Sequence, residues 1–284
     1  MLALVLLASV VSGGCSTLDF AYSMGPTALS IMADNYLGLD GDQEVLLKER
    51  LLELREWTRT SQLAELSKLM NEVRTRAGGK VSLDDITWLT EEGRRQWKVL
   101  GARLAADMAE LAPRLTADNI AALKKKQARN NAEYTKETID AKPEKQREKR
   151  FERVKENAER WYGSFSDAQQ ERIKALSDAL PMNPRMVLAD RVRRQTAFIA
   201  LLTSAMDKSL TRAEAEPRFV QMLVEFERNR TPEYQAFAAA YLAQSQAMAV
   251  EIANLATAEQ RATAQRRFKR WADDMANLAA RKAP

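Results

Sequence analysis

Apolar residues recur three or four positions apart through most of this chain, with charged and amide side chains between them. Ala28, Leu29, Ile31, Met32, Tyr36 and Leu37 form one such face, opened by Pro26 at a first helical position. Val45, Leu46, Leu47, Leu51, Leu54 and Trp57 form the next. Leu63, Leu66, Leu69, Met70 and Val73 continue it to a turn at Ala77-Gly78-Gly79. Further stripes run from Ile86 to Leu111, Phe151 to Trp161, Ile173 to Leu180, Val187 to Met206, Phe219 to Phe226, Tyr234 to Leu255 and Phe268 to Leu278. Strand-type alternation never lasts more than a few residues. The pattern predicts an all-α protein: about nine or ten helices in antiparallel hairpins with short connections, forming an elongated helical bundle.

Helix starts are written in the sequence as capping boxes, in which a Ser, Thr or Asp is followed three residues later by an amide or acid. Ser82 with Asp85, Ser166 with Gln169, Thr211 with Glu214 and Thr257 with Gln260 fit this form. Four of these starts, counted from Thr116 with Asn119, stand 50, 45 and 46 residues apart. Two readings account for that spacing. It marks a repeated helical hairpin, or it reflects a capping device that any helical protein uses many times.

The segment Met1 to Val11 is apolar and uncharged, and Ser12-Gly13-Gly14-Cys15-Ser16 follows it. Such a run is too short to span a bilayer and has the form of a signal-peptide core. Small residues before a cysteine make a lipobox, because the peptidase must admit the backbone at that point. This expectation makes residues 1–14 a signal peptide and Cys15 the acylated first residue of the mature chain. Residues 15–25 are then a lipidated tether, and 26–284 a helical domain with possible sub-bundles 26–112 and 113–284. Asp after the cysteine retains such proteins on the inner membrane. Ser16 therefore directs this one to the outer membrane, with the anchored chain facing the periplasm. Two or more acyl chains hold a protein stably.

Composition narrows the chemistry. The 284 residues include no histidine, one cysteine and 10 glycines. That removes histidine-dependent triads, histidine metal sites, cysteine clusters and intramolecular disulfides. The paired acids Asp84–Asp85, Glu91–Glu92, Glu225–Glu227 and Asp273–Asp274 sit one or two positions apart, so their side chains do not share a helix face. No catalytic residue, metal ligand or cofactor is assigned, and the chain is not read as an enzyme.

The net charge is +5, and residues 124–160 alone carry 13 Lys and Arg against 8 Asp and Glu. Lys124, Lys125, Lys126, Arg129, Lys145, Lys149 and Arg150 are candidate contacts to an anionic surface. The alternative is a solvated face of pairs such as Lys145–Glu148, Lys149–Glu152, Arg153–Glu156 and Glu156–Arg160. The modest positive density does not point to nucleic acid. Trp57, Trp88, Trp97, Trp161 and Trp271 are read chiefly as core, with Trp88 and Trp97 nearest to solvent.

Several motifs carry a resemblance. Cys15-Ser16, Phe20-Ala21-Tyr22, Asn35-Tyr36-Leu37-Gly38-Leu39-Asp40 and Trp161-Tyr162-Gly163 ahead of Phe165-Ser166-x-x-Gln169 resemble a family of Gram-negative helical lipoproteins known only as a domain of unknown function. The resemblance implies an acyl anchor, periplasmic exposure and a helical fold, and carries over no catalytic residue. The capping motifs also resemble the Leu-Thr-x-x-Gln signature of small periplasmic stress chaperones. The expected function is an outer-membrane-anchored binding or scaffold protein with an envelope protein partner. The alternatives are a chaperone-like binder of unfolded exported proteins and, more remotely, a histidine-independent cell-wall hydrolase.

Overall fold

A computed structural model describes residues 17–227 and 230–281. Among the described residues there are eleven α-helices and no strand. They are α1 (Thr17–Leu37), α2 (Gly41–Trp57), α3 (Leu63–Arg76), α4 (Leu83–Leu111), α5 (Ala117–Tyr134), α6 (Pro143–Tyr162), α7 (Asp167–Asp178), α8 (Pro184–Met206), α9 (Arg212–Val224), α10 (Pro232–Leu255) and α11 (Ala258–Ala280). A π-helical turn at Thr58–Gln62 joins α2 to α3 without a break, so the two also count as one long helix. The all-α expectation holds.

The chain divides into two compact units. One contains residues up to Gly79 together with those from Ala262 onward; the other is Lys80–Arg261. The division therefore does not fall near residue 112, where the sequence suggested a break. Pro113 sits in a short 3₁₀ turn, Ala112–Arg114, that only redirects the chain within the second unit.

In the first unit, α1, α3 and α11 share a core of Leu18, Leu63, Met275 and Leu278, flanked by Tyr22, Leu66, Met70 and Trp271, and α2 packs along α1. Helix α1 is helical from the first described residue, Thr17, so residues 17–25 form helix where a tether was expected, and Pro26 is internal to the helix instead of starting it. The cause is tertiary. Leu18 is buried in that core, and the Asp19 carboxylate accepts both arms of the Arg281 guanidinium at 2.7 Å. Those contacts outweigh the hydrogen bond lost at Pro26. The Ser67 hydroxyl, also buried, donates to the Ala272 carbonyl at 2.7 Å and fixes α3 against α11.

The π turn has a local explanation. Thr58, Thr60 and Ser61 donate their hydroxyls to the carbonyls of Leu54, Glu56 and Trp57 at 2.8, 2.9 and 2.6 Å. Side-chain donors thus occupy acceptors that the backbone ladder uses. The Leu63 N–H then reaches back five residues to Thr58.

In the second unit, α6, α7 and α10 close over Phe151, Phe165, Ile173 and Ile252. Helix α4 packs along α9, and α8 contacts α5 and α9. Small residues permit the α4–α9 approach: Ala105 and Ala109 are fully buried, and a Cβ on Gly101 would meet Val224 Cγ2 at 3.0 Å. The Trp97 indole N–H donates to the Leu223 carbonyl at 2.7 Å across the same seam.

The capping boxes form at Asp40, Ser82, Thr116, Ser166 and Thr211, and at Thr257 with Gln260. Two of them are tied together. Gln169 and Gln260 exchange hydrogen bonds at 2.9 and 3.1 Å, while Gln260 also donates to the Ser164 carbonyl and Gln169 to that of Leu255. Boxes at Asp40 and Ser82, outside the regular spacing, show that capping alone accounts for the motif.

Candidate functional site

Cys15 and Ser16 lie outside the described residues. The basic segment spreads over α5, α6 and the π-helical turn Thr135–Ile139 between them. Lys124, Lys125, Arg129 and Lys145 are exposed, and Lys126 is half-buried. Lys149 pairs with Glu137 at 3.4 Å, while Glu152 pairs with Lys155 at 2.7 Å and raises its pKa. Arg150 is drawn inward: its Nε donates to the Ser177 carbonyl at 2.9 Å and its Nη2 to Asp178 at 3.0 Å. That guanidinium closes the C-terminal end of α7, where carbonyls lack helical partners. It is a structural clamp and is not presented to a surface ligand.

The paired acids separate as their spacing requires. Asp85 closes the Ser82 box; Glu91 and Glu92 bind Arg94 and Arg95 respectively; Asp273 binds Lys269. The tryptophans are all half-buried, Trp88 and Trp97 included, and Trp271 packs on the first unit's core. Among the described residues no group of three or more acids forms a metal site.

The densest arrangement of recognition chemistry was only partly visible in sequence. On α10, Tyr234, Phe237 and Tyr241 form a tilted aromatic row with centroids 5.9 and 6.3 Å apart. Arg230 places its guanidinium 5.2 Å from the Phe226 ring and 5.1 Å from the Tyr234 ring. Arg191 of α8 stacks 4.3 Å above Tyr134 of α5. Burial raises the Tyr134 pKa against the opposing charges of Arg191 and Arg153, and Tyr234 adds to the rise. Tyr134 therefore stays a neutral phenol. These groups offer cation–π and hydrogen-bonding contacts to an anionic or aromatic partner. Nearby, Asn131 and Gln195 join through an amide pair at 2.7 Å. The Asp190 carboxylate is buried and accepts from Arg193 at 2.7 Å and Arg194 at 3.0 Å.

The seven-residue spacing of Tyr234, Tyr241, Met248 and Leu255 changes character along α10. Met248 and Leu255 pack on the Phe151 core, whereas Tyr241 is exposed. No local pattern announces Arg191 over Tyr134, which are brought together from different helices. A shallow concavity on α9, lined by Ala213, Glu216, Pro217 and Val220, adds little depth.

A second surface lies on α1. Its exposed side chains are Phe20, Ser23, Met24, Thr27, Ala28, Leu29, Ile31, Met32 and Asn35, none of them charged. Its two acids are both engaged: Asp19 with Arg281, and Asp34 as acceptor for the Leu39 N–H at 2.9 Å.

Among the described residues the fold is all-helical. Residues 35–235 match the family of unknown function DUF6279, and the chain belongs to that family. The match starts near the end of α1 and finishes within α10, so it lies wholly C-terminal to the cysteine motif. No curated protein and no solved structure matches the chain.

Proposed function

We propose that this protein is a lipoprotein of the Gram-negative cell envelope, acylated at Cys15 and held at the outer membrane, whose helical body binds an envelope partner. The observation that carries the reading is the uncharged run Met1 to Val11 followed by Ser12-Gly13-Gly14-Cys15. Acylation gives the lone thiol a role. Among the described residues no helix is long and apolar enough to cross a membrane. The arginine and tyrosine cluster of the second unit is the part of the body best equipped for recognition. Tyr and Arg are among the side chains that dominate the energetics of binding interfaces.

The test is metabolic labelling with a palmitate analogue, followed by membrane fractionation. The wild-type chain is expected to take up label and sediment with the outer membrane. Cys15→Ser should lose both, and Ser16→Asp should shift the protein to the inner membrane. Outer-membrane retention of Cys15→Ser after a high-salt wash would overturn the anchor.

A further inference from the structure

We propose that the exposed face of α1 lies in the membrane interface beside the anchor, as a second contact that fixes how the first unit is presented. This rests on the lipoprotein reading for its location, and its own evidence is structural. Phe20, Met24, Ala28 and Ile31 follow one another at three- to four-residue steps, with Met32 one turn beyond Ala28, and all are exposed. Phe20 and Ile31 leave more than half of their surface in solvent, at 53% and 59%. The exposed set carries no charge, in a chain of which 29% is charged. Ser23 stands at one edge of this stripe, and Thr27 and Asn35 lie within it as neutral hydrogen-bonding groups.

The chain preceding α1 says what covers this face. Cys15 stands five positions before Phe20, which limits their separation to about 18 Å even with the backbone fully extended. If the segment before Cys15 is cleaved, acyl chains are attached there. If it is retained, the apolar run Met1 to Val11 is attached instead. Either way a membrane-seeking group is tethered next to the apolar face, so the face cannot stand far from lipid. A second copy of the chain fits less well. The stripe from Phe20 to Ile31 is about 17 Å long at 1.5 Å per residue and roughly 10 Å across. Two such faces bury an area well below the roughly 1,200 Å² at the lower limit of a stable interface. An interfacial helix needs no such area once an anchor holds it in place, because the apolar face only has to orient a protein already bound.

The experiment places a nitroxide at Ile31→Cys in the full chain, purified from membranes and reconstituted in phosphatidylethanolamine–phosphatidylglycerol vesicles. Ala236→Cys, exposed on α10, is the reference. The expected result is a shift at position 31 toward collision with dissolved oxygen and away from a water-soluble nickel chelate, with the opposite preference at 236. A chelate-accessible label at 31 in attached protein overturns the inference and leaves the anchor standing. Dipolar broadening between labels at 31 assigns the face to a second copy and also overturns it. The parent chain, whose only cysteine is Cys15, reports on the anchor separately: an acylated thiol takes up no nitroxide. If the parent does label, position 31 is read in the Cys15→Ser background, and lipid exposure there leaves the α1 contact standing while the anchor fails.

Discussion

The buried carboxylate of Asp190 illustrates what a single residue decides here. It sits in α8 with two guanidinium groups one turn away, and both reach it because positions three and four along a helix are neighbours. The arginines remain partly exposed, so water replaces part of what they lose. Asp190→Asn is expected to cost about 1–2 kcal/mol, toward the lower part of the range for hydrogen bonds to charged groups. Urea denaturation followed by circular dichroism measures it. Glu65→Gln removes a partner of Lys68 at a site where both side chains are more than half exposed, and should change the midpoint by about 0–1 kcal/mol. Ile173, with no exposed surface, gives the apolar contrast: Ile173→Ala should cost about 2–5 kcal/mol. An Asp190→Asn effect no larger than that of Glu65→Gln would mean the clamp contributes nothing net.

Helix ends and helix crossings set the behaviour of the elements. The Glu214 carboxylate closes the α9 box by accepting from the Thr211 N–H and hydroxyl, and both bonds hold its pKa below the usual 4.5. Hydrogen bonds to Ser209 lower Asp207, and Arg281 lowers Asp19, each from 3.8. A depressed folded pKa stabilises the native state above the unfolded value, and that contribution disappears as pH falls through the folded value. The protein is therefore expected to lose stability on acidification below about pH 4.5. Glu214→Gln keeps an acceptor at the box but does not titrate, so its melting temperature should fall less steeply across that window. An unchanged slope would remove Glu214 from the account.

At the α4–α9 crossing, Gly101 leaves room for Val224. Gly101→Val forces the seam apart, and overpacking of this kind costs about 1–3 kcal/mol. Adding Val224→Ala should recover part of the loss, and a double-mutant cycle measures the coupling. Strictly additive effects would place the strain elsewhere.

At the scale of the whole molecule, the chain leaves the first unit at Gly79 and re-enters it at Ala262. Its core therefore depends on residues from opposite ends of the sequence: Leu18 and Leu63 on one side, Met275 and Leu278 on the other. Leu278→Ala should cost about 2–5 kcal/mol and act on the first unit. Hydrogen exchange in the full chain should rise in residues 18–76 and 262–281 while the amides of Phe151, Ile173 and Ile252 keep their protection. Equal loss of protection in both units would show that they unfold as one.

Local chemistry determined most of the helices. The three- to four-residue stripes and the Ser, Thr and Asp caps act within one or two turns, so their consequences are readable in order along the chain. The same locality made the fate of the paired acids legible, since neighbours on a helix point apart. Tertiary structure decided what depends on residues far apart in sequence. Pro26 looks like a helix start, yet Leu18 and Asp19 find partners near residue 280 and extend α1 back to Thr17. Arg150 reads as one more surface cation until the open end of α7 claims it. Arg191 and Tyr134 meet only because α5 and α8 pack together. The uncharged side of α1 is apolar in sequence like any core stripe, and only the packing of the other helices shows that part of it faces outward. Periodicity encodes which residues share a face; which face is covered depends on the rest of the fold.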